Sequence, residues 1–193
     1  MNKLAIFVSG SGTNMENLLK EIQAGRIPGV ESVFVICDNP EAPALEKAKR
    51  YSVEVKLVER KKFASKAEFE AEIVRYLLEK KIDWIALAGY MKILSPEFVK
   101  QFWGRIINIH PSLLPAFPGG HAIKDAFEAK AGETGVTVHF VDQGVDTGPI
   151  ILQKKVKVAP GDTLETLETK IHQVEYEIYP EALQLVLAGK VKI

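Results

Sequence analysis

The chain has 193 residues, of which 47% are apolar and 26% are charged, and its 25 basic and 25 acidic residues give a formal net charge of zero. This length suits one domain with its own core, and the charge balance excludes a general nucleic-acid or membrane-surface binder, which carries a basic excess. The one cysteine, Cys37, rules out an internal disulfide, and no signal-peptide pattern or membrane-spanning run is visible. We therefore expect a cytoplasmic protein with a buried, inert thiol.

Short apolar runs alternate with segments of helical period through the first half, which is typical of a parallel α/β sheet. Strands are predicted at residues 4–8, 33–37, 53–57, 84–88 and 106–109. Helices are predicted from about residue 14, over 44–50 and over 66–80. Pro96 opens a further short helix, and Ser95 is its predicted cap.

The second half has a different pattern. A proline-rich loop at 110–120 and a helix at 122–130 precede two runs, 136–141 and 150–158, that lack a helical period and predict an antiparallel edge. Asp162 or Thr163 is predicted to cap a long final helix that Pro180 interrupts or kinks. The expected fold class is α/β: a Rossmann-like, mostly parallel twisted sheet flanked by helices, with an antiparallel C-terminal edge, in a single domain over 1–193.

The loop after the first strand, residues 9–14, has the sequence Ser-Gly-Ser-Gly-Thr-Asn. Its glycines let a ligand approach the backbone, and the N–H groups and dipole of the following helix favour an anion. Met15 stands where a dinucleotide fingerprint has its third glycine, and the lysine of a Walker loop is absent. On this loop alone, a monophosphate site and a plain glycine turn are equally good interpretations.

Polar side chains gather in two loops of the second half. Asn108 and His110 alternate along a strand end, so both can lie on one face, and Pro111 favours an extended backbone at His110. Asp146 lies in a second loop, which glycines flank. This combination of side chains suits direct group transfer. The amide can donate to an oxyanion, the imidazole can move protons, and the carboxylate can orient the imidazole. A structural histidine and an Asx turn are the alternatives.

No metal is expected, because the four histidines lack the paired spacing of a metal site. His139 lies inside a predicted strand and is expected to be packed. The apolar residues at 98–103 can pack on the sheet or on a second subunit, so we expect a monomer or a weak homodimer.

Four motifs in order resemble the folate-dependent formyltransferases, and in particular the glycinamide ribonucleotide transformylase family. They are the loop at 9–14, Leu-Ala-Gly-Tyr-Met-Lys-Ile-Leu at 87–94, Asn-Ile-His-Pro-Ser-Leu-Leu-Pro with Phe-Pro-Gly at 108–119, and His-Phe-Val leading to Asp146 at 139–146. The resemblance runs nearly end to end. It implies transfer of a formyl group from 10-formyltetrahydrofolate, as co-substrate, to the amine of N1-(5-phosphoribosyl)glycinamide in purine biosynthesis. It also implies a nucleotide-phosphate-binding half, 1–100, and a folate-binding and catalytic half, 101–193.

The resemblance further implies residue roles. Asn108 would hold the formyl oxygen, His110 would give and take protons, and Asp146 would orient His110 and help to place a water. The ribonucleotide would contact Gly12, Thr13, Asn14, Pro111, His172 and Glu175. The folate would contact Lys66, Leu87, Met91, Lys92, Ile93, Leu94, Asn108, Val141, Asp142, Gln143, Gly144, Val145 and Asp146.

Two positions depart from the family pattern. Lys66 replaces an arginine near the folate glutamate tail, and lysine lacks the bidentate fork that pairs with a carboxylate. His172 replaces a lysine or glutamine near the phosphate and shares a helix face with Glu175. We therefore expect a looser tail contact and a pH-dependent phosphate contact.

Other interpretations make different predictions. A methionyl-tRNA formyltransferase would carry a C-terminal nucleic-acid-binding domain and a basic bias, and a formyltetrahydrofolate hydrolase would carry an N-terminal regulatory domain; neither is expected here. A non-catalytic nucleotide-binding module would use Gly10, Gly12 and Asp38. The expected partners are small-molecule substrates, with no nucleic acid and no membrane.

Overall fold

The computed structural model describes residues 1–193. Its α-helices are α1 (Thr13–Gln23), α2 (Ala44–Arg50), α3 (Lys66–Lys80), α4 (Pro96–Gln101), α5 (Ala122–Glu128) and α6 (Leu164–Leu187). A short 3₁₀ helix covers Arg60–Lys62. Its strands are β1 (Asn2–Val8), β2 (Val30–Cys37), β3 (Glu54–Leu57), β4 (Trp84–Leu87), β5 (Ile106–His110), β6 (Glu133–Phe140) and β7 (Ile150–Lys157).

The seven strands form one sheet in the order β3-β2-β1-β4-β5-β6-β7. β2 pairs in parallel with β1 and β3, and β1 pairs in parallel with β4. β6 pairs antiparallel with both β5 and β7. The predicted fold class, a Rossmann-like mixed sheet with an antiparallel C-terminal edge, is confirmed.

β6 begins earlier than its apolar run predicts. Glu133 pairs with Lys157, and Gly135 pairs with Lys155. A Cβ at Gly135 would lie 2.3 Å from the carbonyl oxygen of Lys154, so the two strands approach too closely here for any larger residue. Strand pairing therefore extends β6 through residues whose own sequence has no strand signal.

Tertiary contacts divide the chain into two compact units, Met1–Ile106 and Ile107–Ile193. In the first unit, residues 4–8 of β1 are fully buried, as expected for a strand that is paired on both edges. Helix α1 packs through an apolar face that buries Met15 and Leu18.

The apolar face around α4 packs inside the first unit. Ser95 caps the helix as predicted, because its hydroxyl accepts from the N–H of Phe98 at 3.1 Å. Phe98, Val99 and Phe102 are at most 2% exposed, and among the apolar side chains of this segment only Trp103 is largely exposed, at 51%. Of the two predicted destinations for this face, the structure therefore supports packing within the chain.

Helix α6 begins with a capping box. The Thr163 hydroxyl accepts from the N–H of Thr166 at 3.2 Å, and the N–H of Thr163 donates to the Thr166 hydroxyl at 2.9 Å. The helix continues through Pro180, which is buried, to Leu187, so of the two predicted effects of this proline the interruption is wrong. None of the helices combines the length and the hydropathy needed to cross a lipid bilayer.

Candidate active site

The antiparallel pairing of β5 with β6 places four polar side chains on one face of the second unit. Asn108 is opposite His139, and His110 is opposite Thr137. Alternate residues of a strand share a face, and so do directly paired residues, so the four side chains lie together. His110 is the last residue of β5, and the carboxyl ends of strands are where α/β sheets bind ligands.

Two backbone features bring Asp146 to the same face. Gly148 passes so close to β6 that a Cβ would lie 1.8 Å from the carbonyl oxygen of Phe140, so only glycine fits. Asp146 has a φ of 56°, a left-handed conformation that Asp and Asn tolerate better than most residues. Its Oδ2 accepts from the N–H of Gly119 at 2.8 Å and lies 3.4 Å from Nδ1 of His110. The structure thus brings together the three side chains predicted to be catalytic.

Both ring nitrogens of His110 face oxygen acceptors. The residue is 4% exposed, its Nε2 donates to the carbonyl oxygen of Phe117 at 2.8 Å, and its Nδ1 faces Asp146. A carbonyl cannot donate, so Nε2 carries a proton, and the imidazolium form donates at both nitrogens. In that form the ring holds a proton to deliver and a positive charge that can stabilise an oxyanion.

The surroundings lower the pKa of the Asp146 carboxyl from its ordinary value. His139 would be the largest cause if its Nε2 carried a hydrogen, but Nε2 lies 3.7 Å from Oδ1, beyond hydrogen-bond distance. The N–H of Gly119 and the charge of His110 act in the same direction, and burial opposes them. Asp146 is therefore a carboxylate at neutral pH and a fixed negative partner for His110.

His139 is buried, as expected for a residue inside a strand, but it also contacts two of the predicted catalytic side chains. Its Nε2 lies 3.2 Å from Nδ2 of Asn108 and 3.7 Å from Oδ1 of Asp146. Its Nδ1 donates to the carbonyl oxygen of Phe140 at 2.7 Å. These contacts follow from the β5–β6 register, which the sequence alone does not specify; the only sequence signal is the position of His139 at the start of a family motif.

A buried hydrogen-bonded cluster holds the loop that follows His110. The Thr137 hydroxyl donates to the carbonyl oxygen of Ser112 at 2.6 Å and accepts from the N–H of Leu114 at 3.1 Å. Nε2 of Gln153 lies 2.8 Å from the same hydroxyl and 2.9 Å from the carbonyl oxygen of Leu114. The position of this loop therefore depends on one fully buried threonine.

Thr137→Val keeps the side-chain volume and leaves the N–H of Leu114 and the carbonyl of Ser112 without this partner. We expect the free energy of unfolding, measured by urea denaturation, to fall by about 1–3 kcal/mol. The matched control is Thr134→Val, because Thr134 lies on the same strand, is 1% exposed and has a hydroxyl without a partner. Removing the Thr134 hydroxyl should leave the free energy of unfolding unchanged or raise it. An equal decrease in the free energy of unfolding in the two variants would contradict this role of Thr137.

The loop at 9–14 joins β1 to α1 in the first unit. Gly12 is the N-cap residue, with a φ of 69°, and a Cβ there would lie 2.6 Å from the Cβ of Ala44. Backbone conformation and helix packing thus require glycine at this position whether or not a ligand binds. Thr13 and Asn14 begin α1, and the N-terminus of a helix favours an anion.

A cavity of about 420 Å³ lies in the first unit, at the ends of β1 and β2. Its lining includes Ser9, Asp38, Met91 and Lys92. Nζ of Lys92 pairs with Oδ2 of Asp38 at 3.0 Å, and the N–H of Met91 donates to the hydroxyl of Ser9 at 2.9 Å. Two of the residues predicted to bind folate therefore line an open cavity.

The other predicted folate residues differ in accessibility. Leu87 and Leu94 are buried, at 7% and 8% exposed, whereas Ile93 is 65% exposed. Lys66 begins α3 with its Nζ 3.8 Å from Oε1 of Glu70. In the second unit, Val141, Asp142 and Asp146 are partly buried, and Gln143, Gly144 and Val145 are exposed.

His172 and Glu175 form a pair on α6, as their spacing predicts. Nδ1 of His172 lies 2.9 Å from Oε2 of Glu175, and this hydrogen bond raises the pKa of His172. Glu175 is 5% exposed, whereas His172 is exposed on the helix surface. The carboxylate is thus buried and held by a ring that solvent can reach.

No group of three or more His, Cys, Asp and Glu side chains is arranged to hold a metal ion. Cys37 is free and buried, and burial raises the pKa of its thiol. A raised pKa keeps the thiol protonated and unreactive at neutral pH, as predicted.

Comparisons with known proteins agree with this geometry. The family model described as formyl transferase matches residues 2–183. The phosphoribosylglycinamide formyltransferase of Bacillus subtilis (strain 168) is 41% identical over 187 residues, which are 97% of this chain and 95% of that protein. The crystal structure of glycinamide ribonucleotide transformylase 1 from Geobacillus kaustophilus is 49% identical with a TM-score of 0.93, over 97% of this chain and 99% of that one. The crystal structure of glycinamide ribonucleotide transformylase 1 from Symbiobacterium toebii is 42% identical with a TM-score of 0.96, and the match covers 100% of this chain and 91% of that one. The predicted resemblance is confirmed, and the chain belongs to the formyl transferase family.

Proposed function

We propose that the chain transfers the formyl group of 10-formyltetrahydrofolate to the amine of N1-(5-phosphoribosyl)glycinamide. The products are formylglycinamide ribonucleotide and tetrahydrofolate, in de novo purine biosynthesis. The observation that carries the proposal is the cluster of Asn108, His110 and Asp146, in which the two ring nitrogens of His110 face oxygen acceptors. Relatives that match almost the whole chain are named for this activity.

The transfer moves two protons and develops one oxyanion. The amine attacks the formyl carbon, the formyl oxygen takes up negative charge, and the bond from carbon to the folate nitrogen then breaks. An N–H of Asn108 and the cation of His110 stabilise the oxygen. His110 gives its proton to the leaving nitrogen, and the proton of the attacking amine returns to the ring, directly or through a water that Asp146 orients. The reaction is balanced in protons, and we propose no metal in it.

We assign the phosphate of the ribonucleotide to the start of α1, at Gly12, Thr13 and Asn14. The support is the N-terminus of a helix, where the backbone N–H groups and the helix dipole favour an anion. We assign the ribose and glycinamide part to Glu175 and Pro111. A buried carboxylate such as Glu175 gains a hydroxyl or amine donor when such a substrate binds.

We expect the KM for the ribonucleotide to rise with pH in the wild type, through a contact of His172 with the phosphate. Glu175 raises the pKa of His172, so the ring is cationic below that raised value and loses its charge as the pH rises through it. KM is measured from mildly acidic to mildly alkaline pH at saturating folate. His172→Gln is the control, since it corrects for the titration of the phosphate itself. Equal pH dependence in the two enzymes would remove His172 from the phosphate site.

We assign the folate to residues 87–94 and 141–146. Met91, Ile93 and Val145 are large apolar side chains that are 72%, 65% and 48% exposed. Exposed apolar side chains of this kind are what a flat heterocycle covers when it binds. We assign the glutamate tail to Lys66, which already pairs with Glu70 at 3.8 Å, so the contact is weaker than one from an arginine fork.

We further propose that these small molecules are the partners of the chain, with no nucleic acid or membrane involved. The chain would act in the cytoplasm as a monomer or a weak homodimer, and as one domain over residues 1–193. The net charge of zero argues against a nucleic-acid or anionic-membrane partner, and the packed face of α4 favours the monomer.

The test is to incubate the purified protein with 10-formyltetrahydrofolate and follow the deformylated folate by absorbance, with and without the ribonucleotide. Release that requires the ribonucleotide is the expected result. Release at the same rate without it would indicate hydrolysis and make the acceptor assignment wrong.

A further inference from the structure

The His139 ring is held in one orientation by its surroundings. It is 2% exposed and lies on β6 opposite Asn108. Its Nδ1 is 2.7 Å from the carbonyl oxygen of Phe140, which can only accept, so Nδ1 carries the hydrogen. Its Nε2, on the other edge of the ring, lies 3.2 Å from the Asn108 amide.

The two ends of that amide have similar shapes and opposite chemistry, because Oδ1 accepts and Nδ2 donates. With Nδ1 protonated, a neutral His139 ring offers only a lone pair at Nε2. The Asn108 amide can hydrogen-bond to this lone pair only with its NH₂ end turned toward the ring. One Nδ2 hydrogen is then used by His139, and the other remains for a substrate oxygen. The opposite orientation of Asn108 would present a carbonyl oxygen where negative charge develops.

Asp146 and His110 are the charged or titratable groups beside this pair. Oδ1 of Asp146 lies 3.7 Å from Nε2 of His139, farther than the Asn108 amide. Oδ2 of Asp146 takes the N–H of Gly119 and lies beside Nδ1 of His110. The Asp146 carboxylate is therefore the partner of His110, and the nearest partner of Nε2 of His139 is the Asn108 amide.

We propose that His139 is a positioning residue for formyl transfer: its neutral, Nδ1-protonated ring fixes the Asn108 amide so that an N–H faces the formyl oxygen. The proposal rests on the proposed function. His139 acts through Asn108 and does not touch the substrate, so its loss lowers kcat and leaves both KM values unchanged.

Two substitutions separate the roles of the ring nitrogens. His139→Asn places an amide near Nδ1, so it keeps the contact with Phe140 and loses the contact with Asn108. His139→Gln places an amide near Nε2 and still offers an acceptor to Asn108. We expect kcat to fall about 100-fold in His139→Asn, the loss typical of one oxyanion donor, and by less than about tenfold in His139→Gln. A wild-type kcat in His139→Asn would overturn the proposal.

A double-mutant cycle tests whether the effect passes through Asn108. In the Asn108→Ala background, His139→Asn is expected to cause no further loss of kcat, because no amide is left to orient. A further loss equal to that in the wild-type background would show that His139 acts independently, and would overturn the proposal.

Nitrogen NMR of the wild-type ring tests the same proposal without any variant. The expected spectrum at neutral pH has a protonated Nδ1 and an unprotonated Nε2. A protonated Nε2, with or without a proton on Nδ1, would overturn the proposal. Failure of the proposed function can be distinguished from failure of the His139 proposal, because in the first case the wild-type protein itself transfers no formyl group.

Discussion

His110→Ala is expected to lower kcat for formyl transfer by about 10²–10⁴-fold, the usual contribution of a general acid–base side chain. In the structure the ring holds a proton on Nε2 and lies beside the Asp146 carboxylate. Its removal takes away the proton donor for the leaving nitrogen and the cation for the oxyanion. Steady-state kinetics at saturating substrates measure the loss, and both KM values should change little, since the ring acts in the transition state.

His110→Gln separates proton transfer from packing. A glutamine amide can still donate toward the carbonyl of Phe117, but it cannot exchange protons at neutral pH. We expect a loss of kcat as large as that in His110→Ala, with a thermal midpoint nearer to the wild type. A wild-type kcat in His110→Gln would mean that His110 has only a structural role.

Asp146→Asn is expected to lower kcat by about 100-fold or more, at the lower end of acid–base effects. Asparagine tolerates the left-handed backbone of this position, with its φ of 56°, and its carbonyl can still accept from Gly119. The substitution removes the charge that favours the His110 cation. Asp125→Asn, an exposed change on α5, is the control and should leave kcat unchanged. Equal kcat in the two variants would remove the Asp146 charge from the mechanism.

Asp146→Asn should also change how the free energy of unfolding depends on pH. Because the folded protein lowers the pKa of Asp146, the carboxylate stabilises the fold at pH values above its ordinary, unfolded pKa. That contribution is lost as the pH falls through the lowered, folded value. The difference in unfolding free energy between wild type and Asp146→Asn should therefore shrink on acidification in urea titrations. A constant difference would contradict the pKa shift.

Most of the fold could be predicted because the elements carry local signals. α3 has helical spacing and a serine cap at Ser65, and residues 4–8 of β1 are an unbroken apolar run. The predictions are wrong at positions where tertiary contacts override the local conformational preference. Pro180 lies inside a helix that continues past it, and Gly135 lies in a strand that pairing extends. Neither outcome follows from propensity, which disfavours proline and glycine inside such elements.

The candidate site was predictable where side chains lie close in sequence. Asn108 and His110 are two residues apart on one strand, so their shared face follows from strand geometry. His139 was recognised as a packed strand residue, but its contact with Asn108 depends on the β5–β6 register. The contact of His110 with the carbonyl of Phe117 depends on the path of a loop. Backbone partners of this kind leave no residue-type signal in a single sequence.

The most direct test of the central claim is a single-turnover experiment with 10-formyltetrahydrofolate that carries ¹³C in the formyl group, incubated with the ribonucleotide and excess protein. Carbon NMR follows the label. We predict that it appears in the formamide of formylglycinamide ribonucleotide in the wild type, and remains on the folate over the same time in His110→Ala. Label that accumulates as free formate in the presence of the ribonucleotide would contradict direct transfer and would identify the chain as a hydrolase.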